Sequence, residues 1–168
     1  MDDVLKNASV KRIIAELHQR KMSGQVKILS ESARSAAEAA AALRVEVGQI
    51  ASSIVFKLPD GRPLLVITSG AHRVDTHLVA ANLGVDKLHR ADADFIKSAS
   101  GISIGGVSPI GWLHDGTLDN PEPLIVIDID LDTFDIVWAA AGHSHAVFPT
   151  TFAELQALTQ GIPMVVSN

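Results

Sequence analysis

Residues 50–58 and 64–68 are two β-rich apolar runs parted only by Pro59-Asp60-Gly61-Arg62. Proline presets one turn dihedral and glycine tolerates positive φ, so the pair reads as an antiparallel hairpin. Helix and strand signals alternate around it. Val10, Ile13, Ile14 and Leu17 recur at helical spacing, so a helix is expected over 9–23, with Ser9 as cap and Gly24 after its end. A short strand is expected over 26–29. Ser35-Ala-Ala-Glu38 reads as a capping box opening an alanine-rich helix that stops near Leu43 and Arg44. Beyond the hairpin come a helix over 75–83 closed by Gly84, a brief strand over 87–89 and a helix over 93–99. Strands are expected over 124–130, 136–141 and 146–148, and Thr151-Phe-Ala-Glu154 opens a last helix. A hairpin within interleaved helices and strands argues against a purely parallel sheet. The expected class is α/β in the mixed α+β sense.

The 168 residues suit one domain, 1–168, with 1–24 as a helical N-terminal extension. The chain has no cysteine, which excludes disulfides, thiolate zinc sites and cysteine nucleophiles and leaves the cytoplasm as the expected compartment. Its formal net charge of −5 argues against a large nucleic-acid groove, so DNA is not an expected partner. No stretch reaches the roughly 20 apolar residues of a membrane span, and no membrane partner is expected. The most basic part is N-terminal, with Lys6, Lys11, Arg12, Arg20, Lys21 and Lys27. These charges suit a solvated helix face or a patch that meets phosphate.

Four clusters could carry chemistry. The segment 101–111 holds Gly101, Gly105, Gly106 and Gly111 around Ser108-Pro109. Glycines let successive N–H groups converge on an anion, although a plain turn explains them equally well. The spacing fits neither G-x-G-x-x-G nor G-x-S-x-G, which makes Ser108 a poor nucleophile. Lys57 follows Ile54-Val55-Phe56, so it either snorkels at a strand edge or aims a point charge into a cleft. Asp128, Asp130 and Asp132 alternate with apolar residues and would share one strand face, as a solvated edge or a hard-cation site. His143 and His145 form an H-x-H pair with no third ligand in view.

Taken together, these motifs resemble the YbaK/aminoacyl-tRNA deacylase family, which includes the editing domain associated with prolyl-tRNA synthetase. The resemblance rests on Ser100-Gly101 followed by Ile104-Gly105-Gly106-Val107-Ser108-Pro109-Ile110-Gly111. It is supported by Val55-Phe56-Lys57 and by Ala140-Ala141-Gly142-His143 ahead of Ala146-Val147-Phe148. It runs from about residue 26 to residue 161, with the motifs in order. Ser100 stands where many relatives have threonine, and Ser144 where they often have proline.

The resemblance implies a mixed sheet curled toward a barrel, helices outside it, and a cleft for the 3′ end of aminoacyl-tRNA. It implies hydrolysis of the ester of a mischarged tRNA, chiefly tRNA for proline carrying alanine, serine, threonine or cysteine. Prolyl-tRNA synthetase is a candidate partner. On this reading the backbone of Gly105 and Gly106 stabilises the oxyanion and Lys57 holds the terminal phosphate or ribose. Phe56, Gly101, Ser108, Pro109 and Gly142 bind substrate, and His143 borders the amino-acid pocket. Water is the nucleophile, and neither cofactor nor metal is called for. A tRNA-binding module without turnover and a metal-dependent hydrolase built on His143, His145 and the aspartates are the rivals.

Overall fold

The computed structural model describes every residue except Met1, Ser23, Asp115, Leu118 and Asn168. The chain runs α1 (Asp2–Leu5), α2 (Ala8–Gln19), β1 (Lys27–Ile28), α3 (Ala36–Leu43), β2 (Ile50–Lys57), β3 (Pro63–Ser69), α4 (Thr76–Leu83) and β4 (His89–Arg90). It continues with α5 (Ala93–Ser100), β5 (Leu124–Asp128), β6 (Val137–His143), β7 (Ala146–Thr150), α6 (Phe152–Thr159) and β8 (Ile162–Met164). Short 3-10 turns occupy Val47–Gln49 and Ile129–Thr133.

The expected caps form. Ser35 Oγ accepts the Glu38 N–H, and Thr151 Oγ1 accepts the Glu154 N–H. Gly84 closes α4 in the left-handed region. The first long helix departs from expectation at both ends. Asn7, not Ser9, caps it by accepting two backbone N–H groups, and the helix ends at Gln19, before Ser23, which lies outside the described residues. Ser9 is instead buried inside the helix, with its hydroxyl donating to the Gly101 carbonyl.

All eight strands form one mixed sheet in the order β1-β7-β6-β2-β3-β5-β8, with β4 paired to β2. The predicted hairpin is its centre, pairing Ala51 with Ser69 through Lys57 with Pro63. Parallel pairs join β2 to β6, β3 to β5 and β5 to β8. The sheet is mixed, as expected, but it does not close into a barrel: the path ends at β1 and β8.

Every residue of β3 is buried, because both faces of the sheet are covered. One face holds Ala51, Val55, Leu65, Ile67 and Phe148 against α2, α5 and α6. The other packs Leu64, Val66 and Val126 against Val79 and Ala80 of α4. A third cluster sets Ala39 and Ala40 of α3 on Ile50. Among the described residues no helix is long and apolar enough to cross a membrane.

The aspartate expectation is corrected here. Asp128, Asp130 and Asp132 do not share a strand face, because β5 ends at Asp128 and the chain turns into the 3-10 segment. The buried Asp128 caps that turn, its Oδ1 accepting the Asp130 N–H at 3.0 Å.

Candidate active site

One fold detail creates the site. β2 and β6 pair only at Ile50–Trp138 and Ala51–Ala139. Beyond that point β2 follows β3 and β4, while β6 stays with β7. A cavity of about 750 Å³ lies where they part. Residues 52–56 of β2 line one side of it and Trp138 to Ala140 of β6 the other. Ile104, Gly105 and Val107 from the glycine-rich segment complete the wall, together with Thr68 of β3, His72 and Arg73 after β3 and Arg34 before α3.

The glycine-rich segment is held by its own backbone. Gly106 N–H donates to the Ser103 carbonyl at 3.2 Å, and Gly106 O accepts from Gly142 N–H at 2.9 Å. A Cβ on Gly106 would press on the backbone of Gly142 and His143, so only glycine fits there. Gly105 differs. Its φ is +96°, an added Cβ would meet nothing closer than Ser144 Cβ at 3.8 Å, and it faces the cavity. No acceptor among the described residues takes its N–H.

The other expected site residues scatter. Phe56 lines the cavity but Lys57 does not; its Nζ sits 5.4 Å from the ring centroid of Phe95. Lys57 is the last residue of β2, exposed and beyond the stretch of the strand that lines the cavity. Gly101 closes α5 at φ +75°. Ser108 is fully buried, and its Oγ accepts the Ile110 N–H. Pro109 borders a second cavity of about 450 Å³, beside Arg20, Arg62 and Trp112. Gly142 lies at an irregularity of the β6–β7 pairing and lets the start of α2 approach, since a Cβ there would meet Ser9 and Val10 at 2.9 Å.

His143 touches the glycine-rich segment through its backbone N rather than facing the cavity. Its Nδ1 accepts the His145 N–H at 3.0 Å, which places any ring proton on Nε2. Burial lowers its pKa below the usual 6.5, and the neighbouring His145 adds to the effect. His145 Nδ1 lies 2.9 Å from the Leu29 carbonyl.

The metal rival loses its two histidines. Among the described residues, the one group of carboxylates and imidazoles close enough to share an ion is His72, Asp128 and Asp130, without His143 or His145. Asp128 Oδ2 is already occupied by Ser69 N–H at 2.9 Å, Thr68 Oγ1 at 3.3 Å and His72 Nδ1 at 2.9 Å. That donor set fits a fixed hydrogen-bond acceptor better than a cation ligand.

Sequence reasoning missed Arg34, His72, Arg73 and Trp138 as cavity residues. The arginines are exposed, and neither forms an ion pair among the described residues. None of the four belongs to a motif. The one available signal was Asp128, an acid inside an apolar strand that required a partner.

The chain is 24% identical over 147 residues to the uncharacterized protein YwhH of Bacillus subtilis (strain 168), covering 88% of each. It superimposes with a TM-score of 0.84 on the crystal structure of a protein proposed as a trans-editing enzyme for prolyl tRNA synthetase, at 33% identity over 96% of this chain and 98% of that one. The hypothetical protein APE2540 shares the fold at a TM-score of 0.82 and 22% identity, covering 94% of this chain and 99% of that one. The family model for the aminoacyl-tRNA editing domain matches residues 30–158, and the chain belongs to that family.

Proposed function

We propose that this protein is an aminoacyl-tRNA deacylase. It acts in trans on tRNA for proline that carries alanine, serine, threonine or cysteine. The observation that carries the reading is the composition of the cavity wall. Among the described residues, Arg34 and Arg73 have no ion-pair partner beside an apolar lining, and the Gly105 N–H has no acceptor. The cavity volume falls within the roughly 300–1,000 Å³ of small-molecule sites, enough for a ribose with an aminoacyl group. A likeness to a protein proposed as a trans-editing enzyme for prolyl tRNA synthetase supports the choice of tRNA.

The reaction transfers an acyl group to water. Charge develops on the former carbonyl oxygen, and a preorganised N–H lowers the barrier by meeting it. The Gly105 N–H takes that role; the Gly106 N–H is committed to Ser103, so Gly106 supports the loop. The guanidinium groups of Arg34 and Arg73 bind the phosphates next to the terminal nucleoside, the role first assigned to Lys57. Ser108 supplies no nucleophile, being buried and hydrogen-bonded. Small aminoacyl groups enter, because one methylene is worth only about 1–3 kcal/mol and synthetases cannot reject every small analogue unaided.

Purified protein mixed with alanyl-, seryl-, threonyl- and cysteinyl-tRNA for proline is expected to release at least one of these amino acids while sparing prolyl-tRNA. Persistence of all four esters refutes the reading.

A further inference from the structure

Ester hydrolysis by water needs a group that takes a proton from the water and returns one to the leaving oxygen. The groups assigned so far cannot do this. A backbone N–H only donates, and a guanidinium stays protonated. Among the residues lining the cavity, His72 is the sole imidazole, and no carboxylate lines it at all.

His72 is also held by a buried acid. Asp128, 1% exposed, places Oδ2 2.9 Å from His72 Nδ1. The same oxygen is fixed by the Ser69 N–H and the Thr68 hydroxyl, both on the neighbouring strand β3. This anchored acceptor keeps a proton on Nδ1 and leaves Nε2 to exchange one. Asp130 Oδ2 lies 3.2 Å from Nε2, but that side chain is 55% exposed and can swing into solvent. The remaining charges on the cavity wall are Arg73, next in sequence to His72, and Arg34.

We propose that His72 is the general base and acid of the deacylation, with Asp128 as its positioning residue. This rests on the deacylase reading above. The water oxygen bonds to the carbonyl carbon as its proton passes to His72 Nε2, and the carbonyl electron pair moves onto the oxygen facing Gly105. Collapse re-forms the carbonyl and breaks the bond to the ribose oxygen. That oxygen takes the proton from Nε2, so amino acid and free tRNA leave and His72 returns to its starting state.

The test uses a mischarged tRNA that the wild type hydrolyses. His72→Gln is expected to lower kcat by about 10²–10⁴ and to change KM by less than about threefold. It should also abolish the fall in kcat/KM at acid pH. In His72→Ala, added imidazole is expected to restore turnover, an effect a merely structural role would not produce. Melting curves and tRNA binding check that both variants are folded. Turnover of His72→Gln within about threefold of wild type overturns the assignment. So does a folded, tRNA-binding but inactive His72→Ala that imidazole fails to rescue. If the wild type hydrolyses none of the four tRNAs, the deacylase reading itself falls, and this inference falls with it.

Discussion

Gly105 and Gly106 are neighbours that the structure separates by role, and alanine at each should fail differently. At Gly106 a methyl group would push into the backbone of His143 and Gly142, with Gly142 C at 2.6 Å. Neither atom belongs to a flexible side chain, so the segment must lift off the end of β6. Overpacking of this kind costs about 1–3 kcal/mol. Lifting also strains the bond from Gly142 N–H to Gly106 O, worth about 1 kcal/mol. Gly106→Ala should therefore lose about 3 kcal/mol, a fall in Tm of about 6–12 °C for a chain of this length. At Gly105 the methyl group makes only ordinary contacts, with Ser144 Cβ at 3.8 Å, and the cost is the positive φ, about 1–2 kcal/mol. That amounts to about 2–8 °C. The same methyl projects where the ester carbonyl must sit, and displacing the reacting group by about 1 Å costs about 10²-fold in rate. Melting by circular dichroism gives the first quantity, and single-turnover deacylation well below either Tm gives the second. If Gly106→Ala melts within about 2 °C of wild type, the close-packing argument is wrong. If Gly105→Ala keeps full single-turnover activity, the oxyanion does not sit at Gly105.

Other perturbations separate the remaining parts of the site. Replacing Arg34 and Arg73 together by alanine should raise KM for aminoacyl-tRNA and leave kcat unchanged. Each lost single-strand phosphate contact should also flatten the log–log salt dependence by about 0.7, as measured by titration at several salt concentrations. Lys57→Ala should keep kcat/KM within about twofold of wild type, because its ammonium lies over Phe95 rather than in the cavity. His143 binds its proton more weakly folded than unfolded. Stability should therefore fall as pH drops from about 6.5 through the lowered folded pKa. His143→Asn keeps an acceptor for the His145 N–H but cannot titrate, so thermal melts across that window should show a smaller decline.

The parts of this fold that were legible in the sequence are those fixed by local chemistry. The Pro59-Asp60-Gly61-Arg62 turn sets the register of the central hairpin, and Ser35 and Thr151 announce two helix starts by the glutamate three residues on. Such signals act within a few residues and survive without tertiary context. The failures share the opposite cause. Period-2 alternation over Asp128 to Asp132 counts as strand only while the backbone stays extended, and Asp128 itself ends the strand by capping the next turn. Ser9 has a cap residue's chemistry, but Asn7 reaches the helix N–H groups first. In the site, the glycine-rich motif identified the right segment but not which glycine faces the cavity. That choice depends on how the segment meets Gly142 and His143, which lie far along the chain. Arg34 comes from the connection between β1 and α3, and His72 and Arg73 from the one between β3 and α4; the cavity where β2 parts from β6 brings them together.

That parting also reconciles the acidic chain with an RNA substrate. A net charge of −5 is unfavourable for binding along an extended phosphate backbone. Yet the buried acid behind the cavity is not free to repel: Asp128 accepts hydrogen bonds from Thr68, Ser69 and His72. The arginines on the same wall have no carboxylate partners among the described residues and present their full charge to solvent. On the proposed reading, these two guanidinium groups give the terminal nucleotides a local hold at the cavity despite the chain's net negative charge. Binding governed by two guanidinium groups should be weak and strongly reduced by salt, which favours release of the deacylated tRNA after each turnover.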